Sequence, residues 1–396
     1  MMHDAPSNHS RLTPALPLSG WAAAAIAALI GFGGTVVLVV QAGQALGGNA
    51  GQIGSMVTAL CAGIAIGSIL LSWWQKMPVV LAWSTPGAAL IAASATAAGW
   101  PVATGVFVAA AAMMVVLGLI PALGRLAARI PAQVASGMLA GVMLPFCLGL
   151  FRTFQSDALM AGVLVVTFIT ARVRFPAYAL LITLAVAIAV VTGRGDVGGG
   201  VSGALFGSLT PTLASFDWKA VVSLGIPLFL VTLVSQNLPG LVVLRSAGYA
   251  PPVQPLLLST GALSLVFAPF GAHGINLAAI TAAICTDADA HPDPTRRWLV
   301  GIAYGGFYIL LALFSAPLVS LFMAMPPSAI AAITGVALIG PLTNALGATM
   351  AGDTHREAAV LTFIATASGM SLFGIGSAFW GLVIGFVALG AQRLLR

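Results

Sequence analysis

The chain has 396 residues, 60% of them hydrophobic and only 6% charged, with a mean hydropathy of +1.07. A soluble surface is itself about a quarter or more charged, so a soluble fold is excluded and the sequence reads as an all-α polytopic membrane protein. Its continuous apolar runs lack the alternation that a transmembrane β-barrel requires. The net charge of +6 comes from arginines spread between apolar segments, which is a topology signal and not a nucleic-acid patch.

Residues 1–18 are polar and Pro-rich and read as a disordered cytoplasmic tail, with no cleavage signal before the first span. Fourteen spans are expected after it, at 19–42, 50–74, 78–98, 102–124, 131–150, 155–172, 175–192, 218–244, 253–267, 269–287, 296–323, 326–347, 355–373 and 376–395. With both termini inside, Arg11, Lys76, Arg125, Arg129, Arg172, Arg174, Arg245, Arg296, Arg297, Arg356, Arg393 and Arg396 face the cytoplasm. Only Arg152, Arg194 and Lys219 face out, as the positive-inside rule asks.

Fourteen divides as seven plus seven. An odd-numbered repeat inverts its own orientation, so residues 19–192 and 218–396 read as an inverted pair joined by the Gly-rich linker 193–217. Gly193-x-Gly195-x-x-Gly198 in that linker formally matches a dinucleotide fingerprint, but it comes directly after a membrane span and reads as linker. Small-xxx-small pairs at Gly63/Gly67, Gly137/Gly141, Gly301/Gly305 and Gly381/Gly385 mark expected close helix contacts.

Lys76 and Lys219 are the only lysines and neither completes a Walker A loop, so uphill work has to draw on an ion gradient. Cys61, Cys147 and Cys285 lie singly in apolar spans, which supports neither a disulfide framework nor a metal centre. No cofactor, no metal and no enzymatic nucleophile–base pair is expected.

Two interrupted segments in opposite halves point to the site. In span 3, Ser84-Thr85-Pro86-Gly87 breaks an apolar run, with Thr85 expected as N-cap and Pro86 as the first helical residue. In spans 9 and 10, Pro269, Gly271 and Gly274 break the run and a half-helix is expected from Ile275 to about Thr286. Half-helices starting in mid-membrane leave amide donors there and mark transporter substrate sites, and here they are expected to meet N-terminus to N-terminus.

No carboxylate falls mid-span. The midplane offers Ser84, Thr85, Gln236, Asn237, His273 and Asn276, with Gly87, Phe270, Gly271 and Gly274 at the breaks and Gln41 toward the outer end of span 1. Positive helix ends with neutral donors suit an anion, above all a carboxylate. His273 is the only histidine at that depth, and its ordinary pKa fits proton coupling.

AWSTPGAAL (82–90), PLFLVTLVSQNLPG (227–240), FAPFGAHGINLAAITAAIC (267–285), HPDPTRRW (291–298) and GIGSAFWGL (374–382) resemble the bacterial benzoate:proton symporters of the BenE family. The layout is more distantly similar to uracil permease and its nucleobase-transporting relatives. The resemblance implies a multi-pass protein of the bacterial inner membrane, with a core domain (19–124 plus 218–323), a gate domain (131–192 plus 326–395) and often a homodimer. It also implies short extended segments before the half-helices of spans 3 and 10. Where nucleobase permeases hold the base with glutamates, the corresponding places here look like Gln236 and Asn276, which favours a substrate that brings its own negative charge.

The expectation is a secondary active transporter that imports benzoate or a close aromatic carboxylate with a proton by alternating access. A nucleobase or inorganic-anion carrier of the same fold is the alternative, and a passive anion channel lies further off.

Overall fold

The computed structural model describes residues 16–94, 99–122, 131–198, 204–352 and 355–394. Most of the expected tail, with Arg11, and also Arg125, Arg129 and Arg396, lie outside the described residues. The N-terminal half contains α1 (Leu18–Gly33), α2 (Val36–Ala45), α3 (Ala50–Gln75), β1 (Leu81–Trp83), α4 (Thr85–Ala93), α5 (Trp100–Leu119), α6 (Ala132–Ser156), α7 (Ala158–Arg174) and α8 (Ala179–Arg194). The C-terminal half contains α9 (Trp218–Ser246), α10 (Val253–Phe267), β2 (Ile275–Leu277), α11 (Ile280–Thr286), α12 (Trp298–Leu313), α13 (Ser315–Ala324), α14 (Pro327–Met350), α15 (Arg356–Ala367) and α16 (Ser377–Leu394).

Among the described residues, seven helices are long and apolar enough to cross a membrane, or eight if the pair α12–α13, bent by 58°, counts as one span. The segments 78–98, 155–172, 175–192, 269–287, 355–373 and 376–395, also expected as spans, carry only the shorter helices α4, α7, α8, α11, α15 and α16. Two of these, α4 and α11, are shortened because a strand occupies the first part of the segment.

Packing gathers the helices into two groups. In one, α3 lies along α12, α10 along α5, and α1 against α11 and α12; in the other, α6 lies along α14 and α15, and α15 along α16. The groups meet where α4 touches α6, α1 touches α8, and α2 touches α14. At the outer corner of the second group Arg194 clamps Asp157 at 3.0 Å and Asp196 at 2.7 Å, joining the α6–α7 corner to the end of α8. Burial alone would raise the Asp157 carboxyl, but the Met160 amide and the Arg194 guanidinium together hold it below its ordinary value.

Glycines set these distances. Gly137 and Gly141 of α6 lie against the backbone carbonyls of Ala359 and Phe363 on α15, and Gly381 and Gly385 of α16 against Thr366 and Thr362. Gly301 and Gly305 of α12 lie against Ser72 and Ile69 of α3. Gly63 and Gly67 also permit a close approach, but to Ile275 of β2 and Leu81 of β1 as well as to Phe267 and Leu263 of α10.

The Gly-rich segment between the halves is more than a slack connection. Residues 204–217 carry no helix or strand, yet Gly207 N bonds Leu313 O (2.8 Å), Thr212 N bonds Pro269 O (2.8 Å) and Ser215 N bonds Pro101 O (2.9 Å). Ser55 of α3 donates to Thr210 O and Phe270 O and accepts from Thr210 N at 2.9 Å. The segment is therefore strapped across the ends of α3, α5, α10 and α12.

A β-carbon at Gly137 would press on a backbone carbonyl that cannot yield, whereas Gly149, on the same helix, faces open space. Gly137→Ala should cost about 1–3 kcal/mol by overpacking, while Gly149→Ala should leave stability equal or higher by up to about 1 kcal/mol. Melting temperatures in detergent measure both, and equal effects would contradict this packing.

Candidate functional site

The two broken segments are joined to each other. β1 and β2 pair antiparallel, Leu81 opposite Leu277, Ala82 opposite Asn276 and Trp83 opposite Ile275. α4 leaves the ribbon beyond Trp83 and α11 leaves it beyond Leu277. The helix starts therefore sit at opposite ends of a ribbon about 10 Å long, offset rather than tip to tip.

Two expectations about these starts are corrected. Ser84, not Thr85, is the N-cap of α4: its Oγ accepts from Gly87 N at 2.9 Å, and Pro86 is the second helical residue. Of the four amides a helix start leaves unpaired, Pro86 removes one and the Ser84 side chain satisfies that of Gly87. The second half-helix starts at Ile280, not Ile275, because Ile275–Leu277 is committed to the ribbon. Asn276 is thus a strand residue, and α11 has only seven residues.

A two-stranded ribbon buried among apolar helices has open edges that water cannot reach, so side chains must complete them. Ser68 Oγ accepts from Leu81 N at 3.0 Å, Ser72 donates to Val79 O at 3.0 Å, and the Tyr304 hydroxyl donates to Leu81 O at 2.8 Å. On the other strand Ser264 accepts from Ile275 N at 2.8 Å and donates to Ile275 O at 3.2 Å. Asn237 Oδ1 accepts from Leu277 N at 3.0 Å, and its Nδ2 donates to Asn276 Oδ1 at 3.0 Å.

The prolines of α9 determine the position of Asn237. Proline lacks an N–H and crowds the carbonyl four residues back, and before Pro239 the helix widens into a π-helical turn at Leu233–Asn237. That turn leaves Thr232 O to accept from Asn237 Nδ2 at 3.3 Å and aims the amide at β2. Gln236 is the neighbour on the half-buried side, so the link to Asn276 is made by Asn237 and not by Gln236.

His273 lies buried between the 3₁₀ turn Ala268–Phe270 and β2, with Nε2 3.1 Å from Ser84 O and its ring edge-on to Phe107 at 6.3 Å. A carbonyl only accepts, so Nε2 carries the proton of this bond and the neutral ring presents Nδ1 as an acceptor. That Nδ1 is buried and has no hydrogen-bond partner, and the same holds for Asn276 Nδ2, Trp83 Nε1 and Gln41 Oε1. Unpaired buried polar atoms are costly, and four of them lie on α2 and the two broken segments, with others at Thr281, Tyr308, Thr334, His355 and Thr366.

Thr85, another expected site residue, is half-buried, and its hydroxyl bonds that of Thr35 at 2.8 Å. Gly87 is not open to a ligand, since Leu228 of α9 and Ser84 fill the space beside it. Gly274 lies beside Asn276 Nδ2 and the methyl of Thr232. The Phe270 carbonyl accepts from Ser55, and Gly271 (φ +96°) lies against Met56 and Trp100; neither hydrogen-bonds the Asn237–Asn276 pair.

The residues of α1 at its break, Gly31-Phe32-Gly33-Gly34-Thr35, were missed by sequence reasoning. Thr35 faces the start of α4, Phe32 packs on Trp83 with ring centroids 5.4 Å apart and planes tilted by 38°, and Gly31 lies against Thr281 at the start of α11. Three glycines inside one span were the available signal. Beside them a small cavity opens between Gly33, Gly34, Leu180, Thr183, Leu184, Ile333 and Val336, at the seam between the two helix groups. Among the described residues no group of three His, Cys, Asp or Glu side chains is gathered that would hold a metal.

Residues 15–391 match the family model described as BenE, benzoate membrane transport protein. The chain is 37% identical over 372 residues to the inner membrane protein YdcO of Escherichia coli (strain K12), covering 93% of this chain and 95% of that protein. It is 33% identical over 383 residues to the benzoate membrane transport protein of Acinetobacter baylyi, covering 94% of each. Among solved structures it resembles SLC26A9 with a TM-score of 0.64 at 14% identity, over 94% of this chain and 65% of that one. It also resembles the transmembrane domain of the cyanobacterial bicarbonate transporter BicA, with a TM-score of 0.56 at 16% identity, over 95% and 96% of the two chains. At such identities the structural likeness is one of fold.

Asn237→Ala leaves the Leu277 amide and the Asn276 carbonyl oxygen without partners, at about 1–3 kcal/mol each, and should lower the melting temperature by several degrees. Gln236→Ala should leave it unchanged. The reverse order in a thermal-shift assay would contradict the assignment of the ribbon contact to Asn237.

Proposed function

The chain belongs to the BenE family of benzoate membrane transport proteins, and from that membership we propose that it imports benzoate or a close aromatic carboxylate together with a proton. It does so as a secondary active transporter in the bacterial inner membrane, with both termini cytoplasmic. Fourteen spans form a seven-plus-seven inverted repeat. The core, 19–124 plus 218–323, moves against the gate, 131–192 plus 326–395, while the site stays near the midplane.

The observation that carries this reading is the pair of buried, unpartnered atoms on the second broken segment, His273 Nδ1 and Asn276 Nδ2. Asn276 Nδ2 is a donor and suits a carboxylate oxygen. Neutral His273 Nδ1 and a carboxylate both present lone pairs, so the two are compatible only with a proton between them. Whether that proton arrives on the imidazole or on the acid, substrate and proton occupy the site as a pair. Such joint occupancy is what coupling requires, because each ligand then favours the same transition. Ser84 and Thr85 form the opposite wall, and Phe32 and Trp83 supply aromatic surface for the ring.

An inorganic anion is the second reading, favoured by the fold shared with SLC26A9, an anion transporter, and with BicA, a bicarbonate transporter. The family match to benzoate membrane transport proteins favours the aromatic acid over an inorganic anion.

Purified protein in liposomes with an acidic exterior should take up labelled benzoate at a saturable initial rate above that of protein-free liposomes, through which the uncharged acid also leaks. Unlabelled benzoate should compete, and uracil, sulfate and bicarbonate should not. His273→Ala should abolish gradient-driven uptake while benzoate–benzoate exchange persists. Competition by sulfate or bicarbonate would transfer the assignment to inorganic anions, and equal loss of uptake and exchange would remove His273 as the coupling group.

A further inference from the structure

The seven-residue helix α11 is too short to be stable by itself, and no side chain caps its start at Ala279. Its far end is held. Arg297, the residue before α12, donates from Nη1 to Thr286 O at 2.8 Å and from Nε to His291 O at 2.8 Å. A guanidinium at a helix C-terminus meets the negative end of the helix dipole, and its planar fork serves two carbonyls at once.

The turn that Arg297 grips is itself ordered. His291 Nδ1 accepts from Asp293 N at 3.1 Å, and Asp293 Oδ1 accepts from Thr295 N at 2.9 Å and from its hydroxyl at 2.7 Å. Tyr249, just beyond α9, donates its hydroxyl to Pro294 O at 2.7 Å and lies beside the Arg297 guanidinium. Span 8 therefore holds the α11 segment at both ends: through Asn237 on β2, before the helix starts, and through Tyr249 on the loop after it stops.

We infer that residues 286–297 form a cytoplasmic clasp and that Arg297 is a positioning residue, which fixes α11 from its far end and thereby the ribbon end that presents Asn276. The inference deepens the proposed transport function and rests on it for its effect on substrate. The clasp itself has a readout that needs no substrate. Arg297 makes no hydrogen bond to the ribbon or to His273, and its most direct route to the site is α11, whose last carbonyl it bonds.

The test uses the full-length protein in nanodiscs and proteoliposomes, with Arg297→Gln, which removes the charge, and Arg297→Lys, which keeps it but reaches only one carbonyl. Hydrogen–deuterium exchange of residues 280–286 should be about tenfold faster in Arg297→Gln, the scale of one lost charge-assisted hydrogen bond, with Arg297→Lys between it and the wild type and α3 and α5 unchanged. The KM for benzoate should rise by a comparable factor while the maximal rate per folded molecule changes little. Unchanged exchange in α11 overturns the clasp. Faster exchange with unchanged KM, or a fall in rate that only tracks the amount of folded protein, overturns the positioning role. Absence of benzoate uptake by the wild type would instead remove the transport reading and leave the exchange result to decide the clasp.

Discussion

Peptide groups taken into a hydrocarbon layer must all find partners inside the protein, and that demand is hardest to meet where a span is broken. Here two broken spans meet it by pairing with each other. The ribbon of Leu81–Trp83 and Ile275–Leu277 satisfies its inner edges by strand pairing, and its outer edges by Ser68, Ser72, Ser264, Asn237 and Tyr304. Those polar residues, scattered over four helices, have one common purpose. Gly63, Gly67 and Gly240 complete the arrangement by letting the ribbon lie against α3 and α9 without intervening side chains.

The ribbon in turn shapes the site. Because it is antiparallel, α4 and α11 leave it in opposite senses, and the broken helix α1–α2 runs past both starts, Gly31 beside Thr281 and Thr35 beside Thr85. The backbone of the ribbon is largely completed by neighbours, whereas two side chains on it and that of His273 just before it are not. Trp83, His273 and Asn276 each keep one buried polar atom without a partner. On the proposed transport reading, those side chains are what a bound carboxylate would complete, offsetting their cost in stability.

How much of this was legible in the sequence differed from residue to residue. The extent of a plain span such as α10, Val253–Phe267, is written in hydrophobicity, and the breakers Pro86, Pro269, Gly271 and Gly274 announce where regular helix stops. The conformation taken up beyond a break is not announced by the residues themselves: only the family resemblance implied the short extended segments now found as β1 and β2. Ile-Asn-Leu at 275–277 is as apolar as many helical stretches of this chain, and where nearly every face is apolar periodicity no longer separates strand from helix. Neighbouring candidates were also inseparable. Ser84 and Thr85 are both good caps, and the choice between Gln236 and Asn237 depends on a π-helical turn that only the geometry around Pro239 reveals. The glycines of α1 were visible but resembled packing glycines until Thr85, Trp83 and Thr281 were placed around them.

The most direct measurement of the central claim is an experimental density map of the protein with benzoate bound. The account predicts a broken, paired backbone at 81–83 and 275–277, with the carboxylate within hydrogen-bonding distance of Asn276 Nδ2 and His273 Nδ1. Continuous helices through both segments, or benzoate held elsewhere with those two atoms bonded to protein groups, would contradict it.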